Sequence, residues 1–344
     1  MRRGQRLAYL GCSLSIGVFY AFNNFTLSLW LATFTTSYLV IGLLGNTRSF
    51  EGAIVSPLAG AWSDRSWLGW LGRRRPFILA GGLGSALLLA LTPAISRWPV
   101  PAALDWLPED VFGLVPAIVA IFLFTLAFNV MDDVHGALLA DVTEGAERNR
   151  LAALKVVVGM SAQVGLLVLG FVLWTSDVPD SAFAIAGALI AAGVLLTVAG
   201  VQEPPPGVWP AGRRQAALAT APRLSLPAVF TEYRGALFFC LVTFAYWSGV
   251  NAVLPLVSIY TRDILGATVG EAQLLPALLL LSTTLLAVPM GWLGTRYGKR
   301  RVISAGYGVM ALAGLAGLVI TTKEQGAAVF LLAGVGNAAS MVLT

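Results

Sequence analysis

Stretches of about twenty mostly apolar residues recur along almost the whole chain, and nothing else in the sequence limits the fold so strongly. A helix rises ~1.5 Å per residue, so about twenty residues cross the ~30 Å hydrocarbon layer of a bilayer. On that measure spans are predicted at 7–30, 39–61, 76–96, 111–140, 151–174, 182–201, 235–260, 272–293 and 302–321, which makes nine. A tenth starts at Ala327 and is still apolar at Thr344, so it is expected to be cut short. The opening MRRGQR leads into an apolar run with no small-residue cleavage site, which reads as a first membrane helix rather than a signal peptide. These runs leave the chain 57% apolar and 11% charged, against about 45–50% and about 25% in soluble domains. A water-soluble globular fold is excluded, and the class predicted is an all-α polytopic membrane protein.

The charge pattern gives an orientation. Arg2, Arg3, Arg6, then Arg65 and Arg73 to Arg75, then Arg148 and Arg150, then Arg213, Arg214, Arg223 and Arg234, then Arg296 and Lys299 to Arg301 all fall in turns on one side. The opposite side holds Arg97, Arg262 and Lys323. Basic residues are retained on the cytoplasmic side, which places the N-terminus there and predicts a multi-pass protein of the inner cell membrane. The formal net charge of +5 is thus a topology signal, and no nucleic-acid partner is expected. Cys12 and Cys240 lie in apolar runs and His135 is the single histidine, so neither a disulfide nor a metal site is predicted. No nucleophile elbow, phosphate loop or dinucleotide fingerprint occurs, so neither an enzyme nor a cofactor is expected.

The longest polar stretch, 202–234, opens with consecutive prolines that stop a helix. It divides the chain into a six-span unit at 1–201, a linker, and a second unit at 235–344. A turn device recurs once in each unit. Gly60, Asp64, Arg65, Gly72, Arg73, Arg74 and Arg75 follow the second span, while Gly291, Arg296, Gly298, Lys299, Arg300 and Arg301 follow the eighth. Repetition of this kind is expected of two parallel repeats about an axis along the membrane normal.

The device resembles the loop signature G-x-x-x-D-R-x-G-R-[KR]-x-[RK] of the major facilitator superfamily. The first copy has an SWLGW insertion, and the second has Thr295 where the acid stands in the first. Pro57 to Arg65, with Leu71 to Ile78, is similar to the proton-coupled sucrose and disaccharide symporters. That branch also carries N-x-x-Q-x-P-x-R-A-L-L-A-D in its fourth helix, matched here by Asn129 and by Ala137 to Asp141, with Asp132, Val134 and Gly136 in place of Gln, Pro and Arg. The resemblance implies two six-helix halves, a chain that is a fragment of a twelve-helix carrier, and symport of a sugar or glycoside with protons by a monomer in the bilayer. It also implies that the Arg-rich turns, with Asp141, form a cytoplasmic gate. The alternatives are a proton-driven exporter of an amphipathic compound, or a carrier-like factor for pigment delivery or light-harvesting assembly, with His135 as a ligand. The fifth span lacks the Gly-Pro pair of proton-driven exporters, which favours symport.

Ionisable groups inside spans cost about 2.5–3.5 kcal/mol on insertion scales, so each is a candidate for function. Asp132 and Asp133 lie near mid-depth in the fourth span, and adjacent carboxylates there compete for ionisation, as proton coupling needs. Arg48 and Glu51, one turn apart, are expected to pair with each other, leaving Glu51 second to the aspartates for coupling. Lys155 is expected to snorkel to the membrane surface. Asn23, Asn24, Asn129, His135, Tyr246, Trp247, Asn251 and Asn337, with Tyr20 beside them, are the candidates for lining a substrate cavity.

Overall fold

The computed structural model describes residues 2–104, 106, 109–204 and 234–343. Their regular structure is helical, with one isolated β-bridge between Leu68 and Gly72. The first span is α1 (Arg3–Ala21), a π-helical turn Phe22–Thr26, and α2 (Leu27–Leu31). The second is α3 (Tyr38–Gly45), N-capped by the Ser37 hydroxyl, and α4 (Thr47–Arg65). Then come α5 (Arg75–Ile95), the short α6 (Glu109–Phe112), α7 (Val115–Val142), α8 (Gly145–Leu173) and α9 (Asp180–Gly200). The seventh span is α10 (Arg234–Val253), a 3-10 turn Leu254–Leu256, and α11 (Val257–Asp263). The chain continues through α12 (Val269–Tyr297), α13 (Lys299–Gly317) and α14 (Lys323–Leu343).

Local chemistry sets several of these starts. Pro76 and Pro116 occupy first-turn positions of α5 and α7, where the missing N–H costs nothing. Thr268 and Glu271 form a capping box at α12. Among the described residues, eight helical segments are long and apolar enough to cross a membrane. The second and ninth spans carry too many charges to qualify, including Arg48, Glu51, Asp64 and Arg65 in α4 and the basic run opening α13. The tenth span begins four residues before the predicted Ala327. Lys323, Glu324 and Gln325, which looked like a loop, form the first turn of a 21-residue helix.

Basic turns gather at one end of the bundle, called here the arginine end, and the other is the far end. In the first set of spans, α1 packs between α8 and α9, α5 against α7 and α9, and α4 against α7. In the second set α14 packs on both α12 and α13. Lipid supplies no hydrophobic drive between helices, so close backbone packing has to hold them. At the α1–α9 crossing, a Cβ on Gly11 or Gly193 would overlap the other's carbonyl oxygen. Larger residues at either position would push the helices apart.

The two sets meet along α8 and α12 and are joined at the far end. There Thr26 Oγ1 lies 2.9 Å from Gln273 Oε1, Asn46 Nδ2 donates to the Asn251 carbonyl at 2.9 Å, and Tyr38 donates to Asp263 at 3.4 Å. Gly45 accepts the Pro255 ring against its backbone.

Candidate functional site

Below these joins, at mid-depth, a cavity of about 600 Å³ lies between the two sets. The first set contributes Ser13, Tyr20 and Asn24, then Arg48, Ser49 and Asp132, then Lys155 and Gln163. The second contributes Trp247, Asn251, Met310, Asn337 and Met341. The wall is chemically lopsided, because its charged residues all belong to the first set.

The π-helical turn explains why neighbouring asparagines do different jobs. One extra residue in the turn rotates the helix face. Asn24 lines the cavity, whereas Asn23, 2% exposed, donates to the Gly45 carbonyl at 3.0 Å and ties the first span to the second.

Arg48 is the hub of the charged wall. Its guanidinium lies 4.6 Å from the Tyr20 ring centre, donates to Asn129 Oδ1 at 3.3 Å and stands 3.9 Å from Asp132 Oδ2. The Tyr20 hydroxyl donates to that carboxylate at 3.3 Å. Asn129 returns a hydrogen bond to the Arg48 carbonyl at 3.0 Å. The expected Arg48–Glu51 pair is therefore replaced by an Arg48–Asp132 pair across two helices, because α4 lies against α7 and the long guanidinium reaches the neighbouring span.

Glu51 is 5% exposed and is held by neutral groups, Thr125 Oγ1 at 2.7 Å and Asn129 Nδ2 at 3.4 Å. Thr125 Oγ1 also lies 2.8 Å from the Ile121 carbonyl. A hydroxyl has one proton, so two arrangements fit this geometry. Either Thr125 donates to an ionised Glu51, or a protonated Glu51 donates to Thr125 while Thr125 donates to Ile121.

Other expected wall residues stand behind it. His135 is wholly buried, stacked on Tyr9 at 4.3 Å, with Nε2 3.2 Å from the Tyr9 carbonyl oxygen. Three residues beyond Asp132, it has turned toward α1 and away from the cavity. Asn129, 1% exposed, supports Arg48 from beneath. Asp133 stands outside the cavity lining, and its Oδ2 is buried with no hydrogen-bond partner among the described residues. The Tyr246 ring stacks on Tyr307 at 4.5 Å, and its hydroxyl donates to Asn337 at 3.2 Å, which positions a wall residue without joining the wall. The expected snorkelling of Lys155 is also corrected: α8 begins at Gly145, further back than expected, so Lys155 sits ten residues inside the helix and in the cavity wall.

At the arginine end a compact charge cluster links spans two, three, four and six. Asp141 Oδ2 accepts from Arg73 at 2.7 Å and from Arg74 at 2.9 Å, and Arg74 also pairs with Asp64 at 2.5 Å and with Ser63. Glu203, which the sequence placed in the linker, accepts from the backbone N–H groups of Arg73, Arg74 and Arg75, each at 2.9 Å. Gly72, with φ +79°, leaves the space for that carboxylate, since a Cβ would lie 2.9 Å from it. Three N–H groups at a helix start form a natural anion seat.

The second copy of the turn repeats the geometry but not the charges. Gly298 also has positive φ, at +88°, before the basic run. Arg296 stacks over Trp292 and Tyr297, and Lys299, Arg300 and Arg301 are exposed. Thr295 stands where Asp64 stands in the first copy, so the turn itself has no acid to gather them. Arg65 is likewise exposed outside the cluster, and a Cβ at Gly60 would meet open space. Most of the linker, 205–233, lies outside the described residues.

Comparison with known proteins agrees with this architecture. The family model described as MFS/sugar transport protein matches residues 5–344. No curated protein sequence matches the chain. Among solved structures, a D-xylose-proton symporter aligns with a TM-score of 0.68 at 15% identity, covering 97% of this chain and 80% of that one. A partially occluded, inward-open xylose transporter XylE from E. coli aligns with a TM-score of 0.67 at 15% identity, covering 98% and 84%. The nucleoside transporter NupG gives 0.62 at 16% identity, covering 98% and 80%. An all-helical bundle with a two-sided cavity at mid-depth, and a family match over almost its full length, lead to one assignment: the chain is a multi-pass membrane transporter, not an enzyme, and belongs to the MFS/sugar transport protein family of the major facilitator superfamily.

Proposed function

We propose that this transporter carries a sugar or glycoside together with a proton into the cell, as a monomer of the inner membrane with its N-terminus in the cytoplasm. The moving units are 1–201 and 235–344, joined by the linker 202–234, and they rock about the shared cavity. The observation that carries this reading is the cavity itself: a mid-depth chamber with its charges on one set of spans and amides, an indole and thioethers on the other. Trp247 offers an aromatic face for a sugar ring, and Asn24, Asn251 and Asn337 offer paired donors and acceptors for hydroxyl groups. The joins at the far end support a state closed toward the outside and accessible from the cytoplasm.

Glu51 is the better placed group for the proton. Asp132 has Arg48 as a fixed counter-charge, whereas Glu51 is buried among neutral donors, and its Thr125 contact accommodates both protonation states. A carboxylate without a cation partner in a dry site is neutralised most cheaply by a proton. Asp133 holds a secondary place beside it. The Arg73, Arg74, Asp64 and Asp141 cluster serves as the cytoplasmic latch of the first unit, with Glu203 fastening the linker's start to it. His135, sealed against Tyr9, has no free approach for a pigment, so that alternative loses its support.

Uptake by proteoliposomes across a sugar panel, with an acidic exterior imposed, tests the proposal. Accumulation above equilibrium that collapses with a protonophore is expected. Equilibration that ignores the gradient for every sugar would defeat the coupling, and no uptake at all would defeat the substrate class.

A further inference from the structure

The two basic turns at the arginine end neutralise their charges differently. In the first, Arg73 and Arg74 are held by Asp64 and Asp141, and Arg75 is buried with its guanidinium on the Leu71 and Val198 carbonyls. That copy leaves Arg65 exposed outside its cluster. In the second, Arg296, Lys299, Arg300 and Arg301 are all exposed, and none makes a side-chain hydrogen bond or ion pair with a described residue. The chain carries no acid from residue 272 to residue 323, so neither the rest of α12 nor α13 supplies one.

The outer face of α12 leads to this cluster in a chemical order. Leu281, Leu285, Val288, Trp292 and Arg296 follow one another at spacings of three or four residues, which sets them in one stripe along the helix. Leu285 is 67% and Val288 81% exposed, and on a membrane helix such a face meets lipid. The Arg296 guanidinium lies 5.1 Å from the Trp292 ring centre and 5.5 Å from that of Tyr297, and both rings are exposed. Exposed indole and phenol rings at a helix end sit at headgroup level, so they hold the guanidinium at the depth of the lipid phosphates. From Leu281 to Arg296 the stripe runs about 22 Å, which matches half of a ~40–45 Å bilayer and therefore one phospholipid.

We propose that this face of α12, with the turn into α13, binds an anionic phospholipid of the leaflet at the arginine end. Its acyl chain lies along Leu285 and Val288, and its phosphate meets Arg296 and Lys299 to Arg301. The lipid supplies from outside the protein the negative charge that Asp64 and Asp141 supply within the first copy. A choline headgroup brings its own cation into the cluster and forfeits that advantage.

Native mass spectrometry of the purified chain, titrated with dioleoylphosphatidylglycerol, dioleoylphosphatidylcholine or glycerol phosphate, tests the site. The phosphatidylglycerol is expected to bind at least about tenfold more tightly than the phosphatidylcholine, with no adduct from glycerol phosphate at the same concentration. Arg296→Gln, Lys299→Gln, Arg300→Gln and Arg301→Gln combined should bring the ratio of the two lipids to about one, while Arg296→Lys, Arg300→Lys and Arg301→Lys combined should preserve most of it. Arg2→Gln with Arg3→Gln removes two exposed cations at the same end, and should leave the ratio within about twofold. Equal binding of the two lipids by the native chain would overturn the proposal, as would a ratio that survives the four glutamines in a variant eluting as a single species. If that variant does not elute so, Arg300→Gln with Arg301→Gln must lower the ratio at least about threefold, and a smaller change overturns the site. An equal loss in the Arg2 and Arg3 variant would replace the site by diffuse attraction, and glycerol phosphate binding as tightly as the lipid would replace it by a soluble phosphate.

Discussion

Glu51 and Asp132 look alike in the sequence, as acids among apolar neighbours, yet the structure gives them opposite company. Asp132 faces a guanidinium and a phenol, whereas Glu51 meets a hydroxyl and an amide. The difference was illegible because the Arg48 side chain is long enough to bypass Glu51, one turn away on its own helix, and reach α7; one-dimensional spacing ranks the nearer acid first. Glu51→Gln should abolish accumulation driven by a pH gradient while leaving exchange of labelled for unlabelled substrate at half its native rate or better, since the amide keeps the Thr125 contact. Uphill accumulation that survives this change would return the role to Asp132. Asp132→Asn, by contrast, should weaken exchange as well as accumulation, about tenfold or more, because it releases Arg48 within the cavity wall. Counterflow rates in the two variants, measured side by side, check the distinction.

Among elements, the spans themselves were legible because bilayer thickness and helix rise set their length, and a helix stands at every predicted one, the ninth ending at Gly317, four residues short of its predicted end. Ends were less so: α8 begins at Gly145 and α14 at Lys323, since polar first turns read as loop. The recurring turn glycine was legible too, and Gly72 and Gly298 both take positive φ. Glu203 was not, because a glutamate followed by prolines reads as linker, and its partners lie about 130 positions earlier in the chain. Its carboxylate fixes the start of α5, so Glu203→Ala should leave three N–H groups unpaired and cost about 1–3 kcal/mol. A lower Tm in detergent is the expected reading, with Glu203→Gln intermediate, and an unchanged Tm in the Ala variant would show that the contact holds nothing. Gly193→Val tests the helix crossing in the same assay: the added methyl groups press on the Gly11 carbonyl, and a loss of at least 1–3 kcal/mol is expected.

At the scale of the whole molecule, two sets of spans share a cavity and are joined at the far end. If those joins mark one of two access states, fixing them should stop the cycle. With Cys240, which is exposed, replaced by Ser, Gly45→Cys and Pro255→Cys should crosslink on oxidation, because a Cβ on Gly45 would lie against the Pro255 Cβ at this join and neither residue lines the cavity. The crosslink is expected to halt uptake and reduction to restore it; full uptake by the oxidised pair would place the moving contact elsewhere. The central claim is that solute entry through this cavity is coupled to proton entry through Glu51. Its most direct measurement is the pH change recorded inside proteoliposomes when substrate is added outside with no imposed gradient. Acidification of the interior that follows substrate addition and disappears in Glu51→Gln is the expected result. Substrate entry with no change in internal pH would contradict it.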